Sequence, residues 1–317
     1  MRHITILITF FSTILPLFAQ LNPHQRLREA LALEKQGQFD SAINMTKVVI
    51  DSKELKGVEL GRAYIMLGSS YRVEGKLSEA QDAFERSIRI LEREPEQKGD
   101  YASALEDYGG FYSDMGQLQV AATLWQKALY LRQQIGDHAA VSQSLTNLAG
   151  WALAQRHMHE AKGYLKKASE ERKLTNDLSD DDSAVLFETE AWLALSEGRT
   201  VAAVAGYQVA LELCERTHGE QHWLTGWEHM LRGKAYARSG DISRSLADMR
   251  EGLAILDHAL GRRNPKYFVA QIAYSQVLDR TGSRAEAMRV RATAEQAGKD
   301  FYSSQCLGCT ITATGLR

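Results

Sequence analysis

The sequence is short of cysteine, proline and net charge, and each shortage narrows what the protein can be. Three cysteines include a single close pair, so a zinc site built from two such pairs is excluded. Four prolines leave room for long uninterrupted helices. A formal net charge of −2 offers no basic face for nucleic acid. No stretch reaches the roughly 18 apolar residues of a membrane-spanning helix. There is no glycine-rich phosphate loop after a strand and no Gly-x-Ser-x-Gly. No serine, histidine and acid trio has a sequence reason to converge, so neither catalysis nor a bound cofactor is expected. What is plentiful is apolar content: 44% of 317 residues. One globular core of that size would tend to split, whereas a repeat array grows along one dimension.

A repeat is present. Glycines fall at 37, 75, 116, 198, 240 and 282, in steps of 38, 41, 82, 42 and 42, and Arg156 stands where the double step lacks one. With each glycine as position 15, seven units start at Pro23, Gly61, Ala102, Ser142, Ala184, Gly226 and Phe268. Position 8 is then Ala30, Gly68, Gly109, Ala149, Ala191, Gly233 and Ser275. Position 20 is alanine in every unit except the sixth, which has Ser245. Position 27 is also small in six units, and position 24 is large in most: Phe84, Trp125, Leu165, Tyr207, Met249. Large residues facing small ones predict interdigitated helix layers. The recurrent glycine predicts a left-handed residue ending each first helix. The expected fold is an all-α solenoid of about seven helix-turn-helix units.

Leu67, Gly68, Tyr71, Gly75, Ala80 and Phe84, and again Tyr108, Gly109, Tyr112, Gly116, Ala121, Trp125 and Ala128, resemble the tetratricopeptide repeat. The units exceed that family's usual length. Together with connectors such as Gly219-Glu220-Gln221-His222 and the run Leu145-Thr146-Asn147-Leu148-Ala149, they resemble the kinesin light chain type of the repeat. The resemblance implies a right-handed superhelix that binds a protein or peptide in its concave groove. It also implies that first-helix positions near 2, 5, 6, 9, 12 and 13 line that groove. These positions select Arg72, Glu106, Asp107, Asn147, Trp192, Trp227, Lys234, Gln276 and Arg280 as candidate partner contacts. The lysine and asparagine clamp of the chaperone-binding subclass is absent, since positions 5 and 9 hold Leu27 and Leu31, then Ile65 and Ser69.

The two ends leave the pattern. Arg2 and His3 precede an apolar run from Ile4 to Phe18. As a helix it would span roughly 22 Å, short of the ~30 Å hydrocarbon layer. This is the layout of a signal peptide over residues 1–19, and it predicts an exported, periplasmic or secreted chain with no membrane span once mature. The array is expected over 23–300, its last helix polar and capping. Residues 301–317 form a tail in which Cys306 and Cys309 form a disulfide or stay as free thiols. Two alternatives stay open: a cytosolic, peptide-responsive regulator of the same fold, and a metal or redox protein using the Cys306–Cys309 pair. His218-Gly219-Glu220-Gln221-His222 fits neither zinc-protease spacing and falls in a connector. Asp180-Asp181-Asp182 reads as acidic charge at a helix start.

Overall fold

The computed structural model describes residues 22–176 and 179–305, so the expected signal segment and the Cys306–Cys309 pair lie outside the described residues. Among the described residues fourteen helices make seven antiparallel pairs. They are α1 (Pro23–Lys35) with α2 (Phe39–Asp51), α3 (Gly57–Val73) with α4 (Leu77–Leu91), and α5 (Lys98–Asp114) with α6 (Leu118–Ile135). Next come α7 (His138–Ala154) with α8 (Met158–Arg172), and α9 (Asp180–Ser196) with α10 (Thr200–His218). The series ends with α11 (Trp223–Ser239) and α12 (Ile242–Leu260), then α13 (Pro265–Arg280) and α14 (Arg284–Ser304). Among the described residues no helix is long and apolar enough to cross a membrane.

The small positions are where helices meet. Ala30, Ala149, Ala80, Ala121, Ala161, Ala203, Ala128, Ala168 and Ala210 are wholly buried, and so are the facing Phe84 and Met249. At Gly68 a β-carbon would lie 2.8 Å from the Phe84 ring, and at Gly109 one would lie 2.5 Å from the Trp125 indole, so alanine at either would force the helices apart. All six position-15 glycines have φ between 72° and 91°, and Arg156 has φ 61° in the same place. The turn geometry therefore persists where the glycine is missing. A non-glycine residue in this region costs roughly 1–2 kcal/mol. Arg156→Gly is expected to raise stability by about 1 kcal/mol in chemical denaturation.

The array also closes on itself, which the periodicity did not foretell. The first unit meets the link between the fifth and sixth: Gly37 lies against His222, the Phe39 and His222 rings are 6.3 Å apart, and the Lys35 carbonyl lies 3.5 Å from His218 Nδ1. The seventh unit meets the second and third. Asn264 Nδ2 donates to the Val73 carbonyl at 2.7 Å, and Lys266 Nζ reaches Asp114 at 3.3 Å. This second seam corrects the expected boundary at residue 300. Helix α14 runs on to Ser304, and Phe301 and Tyr302 pack on the Leu77, Phe84, Tyr108, Phe111 and Met115 cluster. Phe301 also sits beside Pro265 over Gly75. Both rings are half-buried. Phe301→Ala with Tyr302→Ala is expected to cost about 2 kcal/mol, whereas truncation after Gln305 should leave the melt unchanged.

Candidate functional site

Helices α9 and α11 supply one stretch of inner wall. Glu188 and Trp192 lie one turn apart on α9, and Trp227, Leu231, Lys234 and Arg238 form a stripe along α11. Together with Tyr207 these residues line a cavity of about 420 Å³. Trp192 is 36% exposed and Trp227 half-buried. A second concavity of about 1100 Å³ shares Trp192, Ser196 and Arg238 with the first, and runs past Arg156 and Leu153 to Gln117 and Val120. The two make one continuous trough from the third unit to the sixth.

Two carboxyls stand together under this wall. Glu188 on α9 and Glu228 on α11 are close enough that each bears on the other's titration. Burial pushes Glu188 up to about 7, against the pull of Lys234 and Lys266. Glu228 is only 3% exposed, and its Oε2 is buried without a partner. Burial and the neighbouring Glu188 raise it well above the carboxylate range. Crowding protein also lowers the Lys234 ammonium, although solvent reaches it.

The nine expected contact residues divide three ways. Trp192, Trp227 and Lys234 meet in the first cavity. Arg72, Glu106, Asp107 and Asn147 form a polar layer within the wall of units two to four. There Arg72 Nε donates to Asp114 at 2.8 Å, with the guanidinium laid across Gly110, and Ser69 lies 3.4 Å from Asp107. Glu106 departs furthest from an open groove position. It is 5% exposed and accepts from Arg132, Ser144 and Asn147. Gln276 and Arg280 are exposed outside both cavities, with Arg280 donating to the Ala237 carbonyl at 2.9 Å. Glu34 joins the polar layer, pushed up to about 7 by burial and by Asp107.

Glu188 and Arg238 sit at positions 5 and 13, so the same positional rule would have found them. Glu228, at position 3, gives no periodic signal. The connector histidines are structural: the His218 and His222 rings stack 4.5 Å apart, His218 pairs with Asp181 at 2.7 Å, and His222 caps α11.

Family models described as tetratricopeptide repeat match residues 100–170 and 61–90. No curated protein matches the chain. Several solved structures share the fold. The Rap conjugation gene regulator of plasmid pLS20, in complex with the Phr* peptide, is 13% identical with a TM-score of 0.71, over 98% of this chain and 81% of that one. A Rap protein complexed with Competence and Sporulation Factor is 11% identical with a TM-score of 0.65, over 89% and 78%. BtubC (BKLC) from P. vanneervenii is 19% identical with a TM-score of 0.51, over 73% and 92%. At these identities the likeness is one of fold.

Proposed function

This chain is a tetratricopeptide-repeat protein, and on that premise we propose that it is an exported, non-catalytic scaffold that holds an extended protein or peptide segment along its inner wall. The observation that carries the reading is the continuous trough lined by Trp192, Trp227 and Lys234. Aromatic side chains exposed in a concavity are the usual anchors of binding energy. The Rap structures are complexes with Competence and Sporulation Factor and with the Phr* peptide in a similar fold, which makes a peptide a fitting occupant here.

The experiment is affinity capture from the native host with the wild-type chain and with Trp192→Ala/Trp227→Ala. A partner retained by the first and lost by the second is expected; equal recovery would move binding off this wall. Export rests on the run after Arg2 and His3, and mature protein beginning near Gln20 is the expected product. Full-length cytoplasmic chain with Met1 intact would overturn it. That outcome would favour the second reading, a peptide-responsive regulator, for which the self-contacting array offers a physical basis. Each end packs on units of the neighbouring turn, so a ligand seated inside can shift how the turns of the superhelix meet.

A further inference from the structure

Charge in the trough is unevenly satisfied. Several other cations of the wall have acidic partners: Arg72 and Lys266 with Asp114, Arg132 with Glu106, Arg232 with Asp248. Among the described residues the side chains of Lys234, Arg238 and Arg156 make no hydrogen bond or ion pair, yet all three border the same trough. Arg156 occupies a left-handed turn position that holds glycine in the other six units, so its side chain is kept there against a backbone cost. The one acid lining the cavity, Glu188, stands beside the buried Glu228, whose Oε2 is sealed from solvent. An entering group can therefore reach three unpaired cations but not the unpaired carboxylate oxygen.

Resting on the groove reading above, we infer that this trough captures an acidic group of the bound segment, an aspartate, a glutamate or a terminal carboxylate, through Lys234, Arg238 and Arg156, and that the Glu188–Glu228 pair couples the capture to uptake of a proton. An ionised Glu188 competes with the incoming carboxylate for Lys234. A protonated Glu188 leaves Lys234 free. An arriving negative charge in turn favours the protonated pair, so binding draws one proton from solvent. The groups facing Glu188 are Tyr207 and Cys214 on α10, Glu228, Lys234 and Arg238 on α11, and Lys266 on α13. Burial raises Tyr207 and Cys214, so both stay neutral through pH 6–8. The titration in that window then belongs to the acid pair, with Lys234 as the rival to be tested.

The probe is a fluorescein-labelled decapeptide of alternating glutamate and leucine, read by anisotropy on the full chain. Its glutamine and lysine counterparts serve as controls. The glutamate probe is expected to bind at least about tenfold more tightly than either control, as a charged contact predicts. Its affinity is expected to rise about tenfold from pH 8 to pH 6, approaching one proton per site. Glu188→Gln should remove the pH dependence and bind at pH 8 as tightly as the wild type does at pH 6. Lys234→Arg, charged at every pH, should keep the slope, and Lys234→Met with Arg238→Met should lose the probe. Equal affinity for the three probes, preference for the lysine probe, no binding at all, a slope that survives Glu188→Gln, or one that vanishes in Lys234→Arg would overturn the inference. The groove reading fails separately, through equal partner capture by Trp192→Ala/Trp227→Ala.

Discussion

Arg132→Ala should cost about 3–5 kcal/mol of stability, the range expected when one partner of a buried ion pair is removed. The Arg132 and Glu106 side chains are each 5% exposed, and Arg132 Nη1 meets Glu106 Oε2 at 2.9 Å. The same nitrogen reaches Ser144 Oγ at 2.8 Å and the Ala140 carbonyl at 3.0 Å, so one guanidinium ties α6 to α5 and α7. Burial raises Glu106, and Arg132 holds it down. Without Arg132 the carboxyl must stay ionised in a dry place or take up a proton. The folded-state value then moves upward from its unfolded value, so part of the loss should return as pH falls toward 5. Arg132→Met with Glu106→Met, which removes both charges, should cost less than Arg132→Ala alone. Urea titrations at pH 8 and pH 5 read both effects; a loss under about 1 kcal/mol would mean the pair behaves as a surface ion pair.

Trp192→Ala with Trp227→Ala should weaken partner binding by at least ~2 kcal/mol, the scale of a hot-spot truncation. Trp192 contributes little to folding because it stands open to the cavity. Trp227 also packs on the core cluster of the sixth and seventh units, so it carries some stability. The expected signature is a lower melting temperature, unchanged helical circular dichroism at 25 °C, and a large loss of affinity. Equal loss of helicity and binding would identify the tryptophans as core residues.

The sequence was most informative where a physical requirement recurs. Small residues at positions 8, 20 and 27 must be buried for two helices to touch, and they are buried in every unit described. The left-handed turn is legible at six glycines, and Arg156 shows that the backbone obeys the neighbouring units when the residue does not. Contacts across the superhelix were not legible. Phe301 and Tyr302 lie far along the chain from the core they cover, and the period relates only adjacent units. The burial of Glu106 was not legible for a related reason. Position 5 faces the groove in an open array, but here an arginine 26 residues later folds back over it. The trough was half legible: the positional rule selected Trp192, Trp227 and Lys234, and would have added Glu188 and Arg238. The buried Glu228 depends on how two particular helices cross.

The most direct test of the central claim, that the inner wall holds the partner, is site-specific photo-crosslinking of the captured complex. A photoreactive phenylalanine derivative would replace Leu195, which lines the first cavity, or Tyr130, which is 60% exposed on the second helix of the third unit. The structure predicts a covalent adduct with the partner from position 195 and none from position 130. An adduct from position 130 with none from 195 would place the partner on the outer face and contradict the account.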